Sequence, residues 1–174
     1  LIRNGNFHGG HQDWLINQLW EDDDVITDIT KVSIDTNTEG DPVVGWFYGW
    51  NGNAIGGYGI RQFSGIQQKY IPIISGEEYT VSVDVSGFTS GEFSVVLVDK
   101  DGDYTNFGNI TSNGTFTATN TASGTAFNYA PQSIFIRNES ATAGNIVIDN
   151  VSVVKVGDEE SSTTWSNYKS GTPS

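Results

Sequence analysis

The 174 residues carry a formal net charge of −13, 21 glycines, and no cysteine or methionine. Without thiols there is no disulfide framework and no thiolate metal site, so the fold stands on its apolar core, helped at most by a hard cation. The acidity excludes nucleic acid as a partner and disfavours anionic membranes, and no apolar run reaches the ~18 residues of a membrane span.

The length suits one domain with a sizeable core. The missing initiator methionine is expected of a processed or excised domain, and no signal peptide is visible. Most of the acidity is expected to keep a secreted protein soluble, with some carboxylates able to hold calcium.

In chain order, Leu1-Ile2-Arg3-Asn4-Gly5-Asn6-Phe7 is a short apolar stretch carrying Asn where a plain buried strand would carry Val or Ile. Gln12 to Glu21 holds Trp14, Leu15 and Leu19 but no strong cap, and is expected to be a loop or short turn. The run Glu21-Asp22-Asp23-Asp24 reads as a solvated loop. Trp46-Phe47-Tyr48-Gly49-Trp50 reads as an extended aromatic segment, and Ser75-Gly76 as a turn.

Clear alternation follows. In Tyr79 to Ser86 the Tyr and Val positions share one face, while Thr, Ser and Asp share the other. Glu92–Val98, Thr115–Thr119 and Ser133–Arg137 are further strands, and Asp101-Gly102 marks a hairpin turn. The last strand covers Asn145 to Val154. In it Val147, Asp149, Val151 and Val153 fall on one face, so a valine-lined core would draw Asp149 inward, where it needs a partner. Strands and turns at this spacing predict an all-β sandwich of two antiparallel sheets over residues 1–156. Residues 157–174 are rich in Ser, Thr and Gly and read as a linker or tail.

Asn4-Gly5-Asn6-Phe7 and Ile148-Asp149-Asn150-Val151 resemble the first and last strands of carbohydrate-binding modules of the family 4/9/22 type. The resemblance implies a galactose-binding-like jelly roll with neighbouring termini. It also implies a structural calcium held by Asp149 with oxygens of the N-terminal strand, here the backbone carbonyls of Asn6 and His8. The family usually has an acid where this chain has His8, and imidazole is a poor ligand for calcium. Without calcium, Asp149 would accept backbone N–H bonds and pin the two ends together.

The candidate glycan site is centred on Trp46, Tyr48 and Trp50, spaced by two so that an extended strand projects them together. Flat aromatics stack on the C–H faces of sugars, and planar polar groups bind the hydroxyls. Asn51, Tyr58, Arg61 and Gln67 would supply those groups, beside Asn53, Gln62 and Gln68. The competing view places the same aromatics in a core. Asp99, Asp101 and Asp103 lack the Gly and Glu positions of an EF-hand and read as a solvated hairpin tip. His8 and His11 make a weak transition-metal pair, and sequons stand at Asn109, Asn113, Asn138 and Asn150.

The sequence holds no Cys nucleophile, no Gly-x-Ser-x-Gly elbow, no phosphate loop and no His-Glu-x-x-His. The expected function is therefore non-catalytic: a module that attaches a parent protein to a polysaccharide, with β-glucan or xylan as the family habit. The alternative is a structural or adhesive virion domain on the same fold. Thr164-Trp165-Ser166-Asn167-Tyr168 is similar to short Trp repeats that follow modules in phage virion proteins. A small jelly-roll lyase or hydrolase is the third reading. The expected location is extracellular or on a virion surface, and further domains or virion subunits are the expected protein partners.

Overall fold

The computed structural model describes residues 1–8, 13–17, 25–26, 45–48, 54–60, 62–126 and 131–157. Their strands are β1 (Leu15–Asn17), β2 (Val25–Ile26), β3 (Gly45–Tyr48), β4 (Ile55–Ile60), β5 (Gly65–Lys69), β6 (Glu78–Ser90), β7 (Phe93–Val98), β8 (Tyr104–Ile110), β9 (Gly114–Thr121), β10 (Ser133–Asn138) and β11 (Gly144–Lys155). No helix occurs among the described residues. One sheet runs β2-β1-β5-β10-β7-β8 and the other β3-β4-β11-β6-β9. Every strand pairing is antiparallel, and the two sheets pack as the predicted all-β sandwich of jelly-roll type.

β6 behaves as its alternation predicts. Tyr79, Val81, Val83 and Val85 are buried in the core, while Thr80, Ser82 and Asp84 stay half-exposed on the outer face. Each such apolar side chain contributes about 1.5–3 kcal/mol by leaving water. β7 is buried at every position. Its Phe93, Val95 and Leu97 enter the main core with Ile134 and Ile136 of β10, while Val96, Val98 and Phe135 form a second cluster against Tyr104. Burial on both faces explains why β7 reads as a continuous apolar run rather than an alternating one.

The closing strand departs from simple alternation. Its register against β6 runs Asp149↔Asp84 and then Ser152↔Ser82, so β11 carries one extra residue between these pairs. Asn150 takes that bulge at φ 47, in the left-handed region that Asn tolerates better than most residues. The bulge reverses the parity of the strand. Ile146 and Ile148 enter the core before it, and Val151 and Val153 after it. Asp149 therefore lies half-buried with Val147 on the outer face, not inward as a straight strand would place it.

The two ends of the sandwich meet at this bulge. The Leu1 amino group donates to the Val153 carbonyl at 2.9 Å, and the Val151 N–H donates to the Gly5 carbonyl at 2.9 Å. Gly5 approaches so closely that a Cβ there would run into the Val151 carbonyl oxygen. Phe7 is fully buried, and its ring lies 5.3 Å from that of buried Trp14.

Three further features differ from expectation. Residues 15–17, expected as loop, form β1 between β2 and β5. Asp99 is not part of a solvated tip: it is 2% exposed, and its Oδ1 accepts the N–H of Asp101 at 2.9 Å and of Asp103 at 3.2 Å. Asn138, noted only as a sequon, is fully buried. Its Nδ2 donates to the carbonyls of Ile60 and Thr142, and its Oδ1 accepts the N–H of Glu92 and Ser140. One side-chain amide thus satisfies four backbone groups where β4, β7 and β10 converge, an arrangement whose loss would leave buried polar atoms unpaired.

Candidate functional site

Trp46, Phe47 and Tyr48 occupy consecutive positions on β3, the edge strand of the five-stranded sheet. Their register partners on β4 are Gly57, Gly56 and Ile55, and Gly45 stands opposite Tyr58. Two side-chain-free positions therefore flank the aromatic segment, and Trp46, Tyr48 and Tyr58 sit on one strand pair. Trp50, Asn51, Asn53 and Arg61 lie outside the described residues, as do His11 and residues 158–174 of the expected tail.

Gln67 stands apart from that group. It lies on β5 in the six-stranded sheet, between Leu15 of β1 and Phe135 of β10 in register, and is 4% exposed. Neighbouring Gln68 is fully buried: its Oε1 accepts the Arg3 N–H at 3.0 Å and its Nε2 donates to the Arg3 carbonyl at 2.9 Å. Gln62 donates to the Glu139 carbonyl at 2.9 Å. The glutamines grouped as sugar ligands by proximity in sequence thus have partners or positions within the sandwich.

A second polar and aromatic group, not singled out from sequence, flanks β5. Tyr70, just after the strand, is 82% exposed at φ 64, and Phe63, just before it, is 37% exposed at φ 68. The Arg137 guanidinium lies 5.6 Å from the Phe63 ring centroid and pairs with Glu139 at 2.6 Å, whose Oε1 also accepts the Ser94 hydroxyl. Beside Tyr70 is a recess of about 310 Å3 lined, among the described residues, by Arg3, Asp13, Trp14, Lys69 and Tyr70. The available sequence signal was a polar Gln-Gln-Lys run that ends in a Tyr two residues before Pro72.

At the bulge, Asp149 faces Asp84 across the strand pair. Asp84 accepts Asn150 Nδ2 and the Thr115 hydroxyl, each at 2.9 Å, and these bonds hold its carboxyl below the ordinary carboxylate range. Burial raises the Asp149 carboxyl, with Asp84 opposite adding to the effect, while the Asn150 N–H and nearby His8 act the other way. Asn6 Oδ1 accepts the His8 N–H at 3.1 Å. Calcium takes six to eight oxygens. Among the described residues no group of three or more His, Asp or Glu gathers, and the Asp84 and Asn6 side-chain oxygens already accept hydrogen bonds. The calcium implied by the resemblance would rest on Asp149 together with the backbone carbonyls of Asn6 and His8.

These observations define an all-β sandwich of jelly-roll type with an aromatic edge strand and a second aromatic recess at the end of β5. No family model matches the chain, and no curated protein is significantly similar to it. Among solved structures, the chain is similar to the enzymatically active domain of tailspike protein 4 of bacteriophage CBA120, at 14% identity and a TM-score of 0.50. That match covers 89% of this chain and 21% of the tailspike chain. The N-terminal cellulose-binding domain of Cellulomonas fimi β-1,4-glucanase C is 19% identical over 88% of this chain and 95% of its own, with a TM-score of 0.48. A xylan-binding module of family 15 is 15% identical over 83% and 91%, with a TM-score of 0.49. At these identities the likeness is one of fold.

Proposed function

We propose that the chain is a non-catalytic carbohydrate-binding module that attaches a larger protein to a polysaccharide. The observation that carries the reading is β3: Trp46, Phe47 and Tyr48 on the edge strand of the five-stranded sheet, beside Gly56 and Gly57 of β4. Aromatic rings stack on the C–H faces of sugars, and side-chain-free neighbours would let a chain of sugars approach the backbone. The meeting of Gly5 with Val151 agrees with the end segments that carried the family resemblance. A module of this kind works by tethering, which multiplies a modest intrinsic affinity. An extracellular setting and a β-glucan or xylan ligand belong to the same proposal.

Titration of the protein with soluble β-glucan and arabinoxylan, followed by tryptophan fluorescence, tests it. A saturable shift that weakens in Trp46→Ala supports the reading. No response to any glycan, together with a stable oligomer in solution, would favour the virion-domain alternative.

A further inference from the structure

We propose that Tyr70, Arg3, Asp13 and Lys69 form a second sugar-contacting site, separate from β3 and β4 and selective for a neutral pyranose unit of a polysaccharide. The proposal rests on the carbohydrate-binding reading and deepens it.

Tyr70 is the starting point. A bulky residue at φ 64 is an outlier, because its Cβ crowds the backbone there. Burial does not compensate, since the side chain is 82% exposed. Neighbouring contacts hold the conformation instead. Arg3 Nη1 donates to the Tyr70 carbonyl at 3.1 Å, Arg3 Nη2 to the Lys69 carbonyl at 2.5 Å, and the Ile71 N–H to the Gln132 carbonyl at 3.0 Å. Strain held in place from several sides, with no packing gain, is the pattern found at binding sites.

The groups around the ring are also fixed in advance. Buried Gln68 clamps the Arg3 backbone through both its N–H and its carbonyl. Arg3 Nε lies 3.6 Å from Asp13 Oδ1, which sets the carboxylate at the rim of the recess. Trp14 forms the floor, buried and tied by its indole N–H to the Asn4 carbonyl at 3.1 Å. The recess therefore offers an exposed aromatic face, a carboxylate acceptor, and the ammonium and guanidinium donors of Lys69 and Arg3.

That combination matches a sugar. The C–H face of a pyranose stacks on Tyr70, and adjacent hydroxyls, each both donor and acceptor, bridge Asp13 and Lys69. Asp13 offsets one of the two positive charges of Arg3 and Lys69, so the recess keeps only a single net positive charge toward an anionic sugar. The chain's net charge of −13 repels polyanionic glycans at longer range. Neutral glycans are the class that remains.

Affinity electrophoresis in gels containing hydroxyethyl cellulose, mixed-linkage β-glucan or neutral arabinoxylan, with polygalacturonate as the anionic control, tests the site. Retardation by at least one neutral glycan is expected for the wild type, and none by polygalacturonate. Tyr70→Gly is expected to weaken retention about tenfold by loss of the stacking surface. It should also melt no lower than wild type, since glycine accepts the positive φ. Tyr70→Trp should keep retention, and Lys69→Gln and Asp13→Asn should each reduce it. Retention of the wild type with all these variants unchanged overturns this site and leaves the carbohydrate reading intact. Failure of the wild type to bind any neutral glycan overturns both. If Tyr70→Gly melts lower than wild type, Asp13→Asn and Lys69→Gln alone decide.

Discussion

Tyr70 and Tyr79 stand at opposite ends of the burial scale. Tyr79 is 0% exposed on regular β6; its hydroxyl accepts the Ile74 N–H at 2.8 Å and donates to the Pro72 carbonyl at 3.4 Å. Its ring supplies core area and its polar tip is satisfied, so structure alone accounts for it. Tyr70 has left-handed backbone and an open ring, and structure alone does not account for it. An aromatic in this chain is thus read by what its burial and backbone return, not by its residue type.

The largest effect that would test this contrast is Tyr79→Ala. It should cost about 3–5 kcal/mol, as large-to-small substitutions of buried aromatics do, read as a lowered midpoint in chemical denaturation. A loss below 1 kcal/mol would remove Tyr79 as the structural member of the pair. At position 70 the expected sign is reversed: Tyr70→Gly weakens glycan retention without lowering the melting temperature.

A smaller effect separates the two carboxylates at the bulge. The Asp84 carboxyl lies below its ordinary 3.8 in the folded chain, so the stability it supplies is present above that value and lost as pH falls through the lowered one. The Asp149 carboxyl lies above 3.8, so its effect is opposite: stability falls as pH rises from 3.8 through its raised value. Melting curves across acidic pH should therefore show a smaller acid loss in Asp84→Asn and a smaller loss on the rising side in Asp149→Asn. Identical profiles for both variants and the wild type would contradict this assignment. The smallest expected effect is that of chelation. A cation held at Asp149 stabilises the fold by mass action, so EDTA should lower the melting temperature if the calcium of the resemblance is bound, and an unchanged curve would remove it.

Much of the fold was legible where alternation was strong. Tyr79–Ser86, Glu92–Val98, Thr115–Thr119 and Ser133–Arg137 all fall within strands or overlap them closely. Less legible were β4, β5 and β8, because Ile55–Ile60 holds three glycines and Tyr104–Ile110 two asparagines and a glycine, residues weak in β-propensity, while the two glutamines of Gly65–Lys69 interrupt the apolar pattern. The face of Asp149 was misread for a different reason. A period-two reading assumes no bulge, and one extra residue at Asn150 reverses every position after it.

The candidate site was legible only in part. Trp46, Tyr48 and Tyr58 do share a strand pair, but Gln67 belongs to the other sheet, since nearness in sequence does not survive a change of sheet. The Tyr70 recess could not be read from local pattern. It joins Arg3 and Asp13 to Lys69 and Tyr70, brought together because β1 pairs with β5 and because Gln68 binds the N-terminal segment.

The most direct test of the central claim is the mobility of the wild-type protein in native gels with and without neutral β-glucan or arabinoxylan. A carbohydrate-binding module is retarded by at least one of them in proportion to its concentration. Unchanged mobility at every glycan concentration would contradict the proposed function.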